Sequence, residues 1–250
     1  PELYESVVHL QHRGTDAAGI MTYDDRMHKE KGMGLARDIF TKDNLSLLTG
    51  NIGISHNRYP THGGFGHGEV QPVWTSVPYG IAIAHNGQIT NYDELVEEVT
   101  KTEKRYLNTT SDTEVILHIF AEELNKNGNP QTSEEFFDVL CDVVNTLFKK
   151  VRGAYSITAL IVGKGLVVFR DPRGIRPLVR GEREVGSWHG GKDYIFASEN
   201  TMFYSMGYES KGNVLPGELI YVDNDGKLFS KRLVKEEFNP CIFEYVYFAR

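Results

Sequence analysis

Ile81-Ala82-Ile83-Ala84-His85-Asn86-Gly87 is the stretch on which the reading of the fold turns. Four small or branched apolar residues in succession, entered through Pro78-Tyr79-Gly80, read as a short strand buried on both faces rather than an amphipathic one. The run then breaks into polar residues. Asn86 offers a side-chain amide donor, and Gly87, having no Cβ, can bring its backbone N–H close to a ligand. Two neutral donors held by a rigid strand are what an oxyanion hole requires. Asn-Gly is also the strongest two-residue hairpin signal, and this stretch alone favours that tight turn. The residues on either side reverse the balance.

Upstream, Leu3, Val7 and Leu10 recur at helical spacing as far as Gly14, which predicts a helix over residues 2–12 closed by a C-terminal glycine. Its exit places Arg13 at a helix end, where a surface cation favours the dipole. The small-residue run Asp16-Ala17-Ala18-Gly19-Ile20-Met21 implies close packing as the chain enters a strand. Residues 51–56 read as a second short buried strand that delivers Asn57-Arg58-Tyr59-Pro60-Thr61-His62 at its C-terminal end. Pro60 restricts Tyr59 to extended geometry and stiffens the loop. An arginine at the mouth of a buried strand suits either a structural ion pair or a carboxylate clamp, since its planar fork donates two parallel bonds. Gly63-Gly64-Phe65-Gly66-His67-Gly68 matches neither dinucleotide nor Walker spacing and reads as a flexible flap. His56, His62, His67 and His85 lack a helical His-x-x-x-His pair or a carboxylate at ligand spacing, so no metal is expected.

Downstream, Asn91 followed by Glu94 forms a capping pattern into a helix near residues 92–99. Ser111-Asp112-Thr113-Glu114 repeats the capping-box signature before Leu117, Phe120, Ala121 and Leu124, at i, i+3, i+4 and i+7. Asp112 then sits in a first helical turn, where an acid is favourable for structural reasons alone. A third helix spans residues 133–150, with Phe137, Cys141, Val144 and Phe148 on one face, so Cys141 reads as core filler. Beyond it, residues 154–162, 166–170, 194–198 and 218–222 are β-branched and aromatic runs parted by Gly, Pro and Asp. Short connections make these strands antiparallel. The layout is α+β, one domain, with two sheets packed together and helices outside.

Composition closes off several classes. The 250 residues are 40% hydrophobic and 11% aromatic, enough for a sizeable core. A net charge of −7 with scattered Lys and Arg gives no support for nucleic acid or an anionic membrane as partner. Two cysteines, Cys141 and Cys241, cannot build a disulfide framework, and a reducing, cytoplasmic setting is expected. No apolar run approaches a membrane span. The sequence enters a helical pattern at Pro1 without an initiator Met and stops just after an aromatic run, and is expected to be a piece of a longer chain.

Taken in order, Gln11-His12-Arg13-Gly14-x-Asp16-Ala17-Ala18-Gly19, His56-x-Arg58-Tyr59-Pro60-Thr61, His85-Asn86-Gly87, Ser111-Asp112-Thr113-Glu114, Arg152-Gly153-Ala154-Tyr155, Phe169-Arg170-Asp171-Pro172-x-Gly174-Ile175-Arg176-Pro177-Leu178 and Phe243-Glu244-Tyr245-Val246-Tyr247-Phe248-Ala249-Arg250 resemble the glutaminase half of the amidophosphoribosyltransferases, a family of class II glutamine amidotransferases. The likeness covers nearly the whole chain. It implies an N-terminal-nucleophile hydrolase-like fold, a four-layer αββα sandwich of two antiparallel sheets, and release of ammonia from glutamine for the first step of purine synthesis. On that likeness Arg58 pairs with the glutamine α-carboxylate and Asp112 with its α-ammonium. Tyr59, Thr61 and His85 complete the substrate pocket, Asn86 and Gly87 hold the oxyanion, and Arg13 lies close to the nucleophile.

The family's nucleophile is a cysteine at the mature N-terminus whose own α-amino group is the base. Pro1 stands here instead, so the likeness implies a cysteine-bearing strand upstream and an inactive chain as given. A phosphoribosyltransferase domain using phosphoribosyl pyrophosphate and magnesium is expected beyond Arg250, with assembly as a homo-oligomer. No cofactor is expected in these residues, and no iron–sulfur cluster at Cys241. Glucosamine-6-phosphate synthase, asparagine synthetase and glutamate synthase share the His-Asn-Gly and arginine-loop logic, but the Gly174-to-Leu178 motif and the C-terminal aromatic run favour the purine enzyme. The competing reading is a non-catalytic glutamine-binding or assembly module.

Overall fold

The 81–87 run forms its strand, and the strand continues through the polar residues. A computed structural model describes residues 1–59, 66–185 and 191–248. Its strands are β1 (Ala17–Tyr23), β2 (Met27–Met33), β3 (Ile52–Arg58), β4 (Val73–Thr75), β5 (Ile81–Ile89), β6 (Gly153–Ile161), β7 (Gly165–Arg170), β8 (Val179–Glu184), β9 (Lys192–Ala197), β10 (Glu209–Asn213), β11 (Glu218–Asp223) and β12 (Leu228–Arg232). The helices are α1 (Glu2–His9), α2 (Ala36–Ile39), α3 (Lys42–Ser46), α4 (Tyr92–Glu97), α5 (Asp112–Lys126) and α6 (Ser133–Lys150).

Strand β5 pairs antiparallel with β6 along its whole length, from Ile81 opposite Ile161 to Ile89 opposite Gly153. Asn86 and Gly87 stand opposite Ser156 and Tyr155 in mid-ladder, so the hairpin reading of Asn-Gly fails. The partner strand, 70 residues away in sequence, overrides the local turn preference. β5 and β6 sit inside a six-stranded antiparallel sheet ordered β12-β11-β7-β6-β5-β4.

Alternation along β5 decides which side of this sheet each residue serves. Ile81 and Ile83 join the core beneath α5 and α6, alongside Phe120, Leu140, Tyr155 and Phe169. Ala82 and Ala84 face the other way, against Met21 of β1 and Ile54 of β3. On the outer side of that second layer, α1 and α2 pack Val7 and Ala36 against Ala18 and Ile20 of β1. Four layers result, helix–sheet–sheet–helix, as expected. The second layer differs from the expected single sheet: it is split into β2-β1-β3 and β10-β8-β9. The latter packs over the β7–β11 end of the large sheet, where Val168 and Ile220 meet Leu178 and Phe196.

Local expectations are corrected where side chains find distant partners. The 2–12 helix ends at His9 and is followed by a 3₁₀ turn, Gln11–Arg13. Gly14 is extended, with φ −173°, and is no left-handed cap. Asn91 does not cap α4, because its amide reaches across to Lys150 O and Arg152 N–H, both at 2.9 Å. Ser111 caps α5 through Thr113 N–H, but no reciprocal box forms, since Glu114 accepts instead from Asn108 and Thr109 N–H. Burial opposes charge on Glu114, yet bonds from His118, Asn108 and Thr109 hold its pKa at about 2. The reciprocal capping box lies at Thr132 and Glu135, opening α6. The 51–56 strand is half-exposed rather than buried, because β3 is an edge strand beside a cavity. No helix of the described residues is long and apolar enough to cross a membrane.

Candidate active site

The two sheet layers do not close on each other throughout; a cavity of about 1010 Å³ lies between them. Arg13, Arg58, Tyr59, His85, Asn86, Gly87 and Asp112 all line it. Thr61 and Pro60, and residues 63–65 of the expected glycine-rich flap, fall outside the described residues.

The floor is β5. By the same alternation that turns Ala82 and Ala84 toward the second layer, Asn86 points that way too, and its Nδ2–H donates to Ser198 Oγ at 3.2 Å. His85 points to the helix side, where Nδ1 lies 3.3 Å from Thr113 Oγ1 and 3.5 Å from Asp112 Oδ1. Asp112 is in turn held to the strand by Ile89 N–H at 3.2 Å, so its place in the first turn of α5 serves to dock the helix onto β5. Gly87 tolerates no side chain. A Cβ there would sit 1.9 Å from the Ala154 carbonyl oxygen and 2.6 Å from His85 Nε2.

The facing wall is β3. His56 Nε2 lies 3.1 Å from the His85 carbonyl, which can only accept, so Nε2 carries the proton and ties β3 to β5. His56 Nδ1 is sealed from water and has no hydrogen-bond partner among the described residues. Burial, reinforced by His85 beside it, pulls the His56 pKa down to about 4, leaving a neutral ring. Two residues on, Arg58 is buried at 6% exposure, whereas Tyr59 is 63% exposed. A Cβ on Gly14 would lie 2.5 Å from the Arg58 carbonyl carbon; its absence lets the turn carrying Arg13 lie directly on the end of β3.

Arg13 is not the surface cation of a helix end. Its guanidinium spans two carboxylates, Glu199 and Glu244, each at 2.6 Å, with its side chain only 9% exposed. Glu244 also accepts from Arg176 at 3.0 Å, and His12 Nε2 reaches Glu199 at 3.0 Å. Arg176 itself is placed by buried Arg170, whose guanidinium donates to the carbonyls of Arg176, Gly174 and Val214. The motifs around residues 11–14, 170–178 and 243–248 therefore meet in one charged corner of the cavity. Cys141 is buried in the helix-side core, which raises its thiol pKa. The Cys241 N–H bonds Ile175 O.

A family profile described as a glutamine amidotransferase domain matches residues 65–205, more than half of the chain. The chain belongs to the glutamine amidotransferase domain family. Among curated relatives it is 46% identical over 251 residues to the amidophosphoribosyltransferase of Haemophilus influenzae, covering 99% of this chain and 48% of that protein. To the amidophosphoribosyltransferase of Escherichia coli it is 43% identical, covering 99% and 49%, and to that of Schizosaccharomyces pombe 40%, covering 100% and 48%. The chain thus spans about half the length of the curated relatives it matches. Among solved structures, glutamine phosphoribosylpyrophosphate amidotransferase from B. subtilis, complexed with ADP and GMP, superposes with a TM-score of 0.80 at 30% identity, covering 99% of this chain and 50% of that one. These likenesses place the four-layer architecture in the N-terminal-nucleophile hydrolase fold of the amidotransferases.

The residues singled out from the sequence, Thr61 apart, line the cavity, whereas those that hold them carry no such signal. Ser198 ends the run expected as a strand, Glu199 follows it, and neither carries a motif of its own. Glu244 lies inside a quoted motif, but nothing in the sequence pairs it with Arg13, 231 positions earlier.

Proposed function

We propose that this chain is the glutaminase portion of an amidophosphoribosyltransferase, releasing ammonia from glutamine for the formation of phosphoribosylamine in a transferase domain elsewhere in the full protein. The observation that carries the reading is the convergence, on one cavity between the sheets, of a buried Arg58, Asp112 and the Asn86-Gly87 pair. On this reading Arg58 takes the substrate carboxylate by its fork and Asp112 the ammonium. The nucleophile is an N-terminal cysteine supplied by the full protein. Its thiolate attacks the side-chain amide carbon, and the resulting oxyanion is held by Asn86 Nδ2–H and Gly87 N–H. Collapse expels ammonia and leaves a thioester, which water cleaves to glutamate and the free thiol.

Glutamate release separates the alternatives when this chain is compared with the full-length protein. The chain alone is expected to be silent and the full-length protein active, with Asn86→Ala in the latter lowering glutamine turnover by about 10²-fold or more. Glutamate from the chain alone that vanishes on replacing Cys141 or Cys241 would overturn the N-terminal nucleophile. Silence from both would favour a module that only binds glutamine.

A further inference from the structure

We propose that Ser198 is the positioning residue for Asn86: its hydroxyl fixes the amide so that one N–H remains aimed into the cavity. The proposal rests on the oxyanion-hole reading of Asn86 and extends it to a residue that touches no substrate. Strand β5 fixes only the backbone of Asn86, through its ladder position opposite Ser156. The terminal amide torsion of an asparagine is broad and roughly two-fold, and its two ends differ in sign: one donates, the other only accepts. An unanchored amide would spend much of its time with the carbonyl turned toward a developing negative charge. That orientation repels what it should stabilise.

Ser198 supplies the missing constraint. Its Oγ accepts one Asn86 Nδ2–H at 3.2 Å, and the second N–H of the same planar nitrogen is thereby set in direction. The acceptor comes from the turn after β9 in the second layer, so the bond spans the cavity between layers. It is also held on its own side. The neighbouring Glu199 is clamped by Arg13 at 2.6 Å and His12 at 3.0 Å, which ties the Ser198 turn to the segment following α1. The donor's direction is thus set before substrate arrives, which is how such donors are effective.

The experiment measures glutamate release in the full-length protein for Ser198→Ala, Ser198→Thr, Asn86→Ala and the Asn86→Ala/Ser198→Ala pair. Loss of one neutral positioning bond should lower kcat of Ser198→Ala about five- to tenfold, with glutamine KM moving less than about twofold. Ser198→Thr, which keeps the hydroxyl, should recover most of kcat. The double variant should be no slower than Asn86→Ala, because Ser198 has nothing left to position. A rise in KM alone, failure of threonine to rescue, or costs that multiply in the double variant would overturn the proposal. Impaired Asn86→Ala beside normal Ser198→Ala would refute Ser198 while leaving the oxyanion hole standing; normal turnover in Asn86→Ala would bring down both.

Discussion

Replacing His56 by glutamine should remove about 3 kcal/mol of acid sensitivity from the folded protein. In the native state the ring is neutral, with a pKa of about 4 set by burial and by His85, against 6.5 for an ordinary histidine. Between those values the unfolded chain binds a proton that the folded chain refuses, so stability falls as pH drops. The gap of roughly 2.5 in pKa, at about 1.36 kcal/mol each, gives about 3 kcal/mol lost between pH 7 and pH 4 after allowing for half-protonation at the lower limit. Geometry agrees with the sign. Protonation would place an N–H on Nδ1, which is sealed from water and faces no acceptor among the described residues. Glutamine keeps a donor for the His85 carbonyl but does not titrate. Urea unfolding of both proteins from pH 7 to pH 4 should therefore give curves that converge or cross, the wild type losing about 3 kcal/mol more. Parallel curves would show that His56 takes its proton freely in the folded state, and the tie between β3 and β5 would need another explanation.

Gly87→Ala must push β5 off β6, since its Cβ would meet the Ala154 carbonyl oxygen at 1.9 Å; a loss of about 2–3 kcal/mol or more is expected, and an unchanged Tm would contradict the close approach. Arg58→Lys keeps the charge but loses the fork, so glutamine KM in the full-length protein should rise about tenfold or more while kcat changes little. An unaltered KM would remove Arg58 from the glutamine pocket.

What the sequence revealed, and what it hid, follow the range of the interactions concerned. Helices α5 and α6 were legible because their apolar periodicity is local, and β5 because an unbroken apolar run admits few other readings. Strand β2, Met-His-Lys-Glu-Lys-Gly-Met, was not, since it is polar and exists through its register with β1, from Met27 opposite Tyr23 to Met33 opposite Ala17. The same holds for β10, exposed at every residue and held by pairing with β8. Asn86-Gly87 shows the limit of a local signal. Taken alone the dipeptide favours a turn, and only the residues around it point to the strand that β6 enforces. At the site, residue types announced donors and cations, but the Arg13–Glu199 and Arg13–Glu244 pairs join segments about 190 and 230 positions apart and left no local trace.

The division of the second layer has a dynamic consequence. The floor carrying Asn86 belongs to one continuous six-stranded ladder backed by α5 and α6, whereas the cover is two shutters of three strands each, without a shared hydrogen-bonded edge among the described residues. Units with fewer buried contacts open at lower free energy. Amide exchange should accordingly run fastest in β10 and β9, slower in β1, and slowest in β5 and β6. Either shutter can swing while the β5–β6 rungs beneath Asn86 stay closed, so the cavity's floor keeps its backbone; the Asn86–Ser198 bond, which spans the layers, is what is given up when the β8–β10 shutter moves.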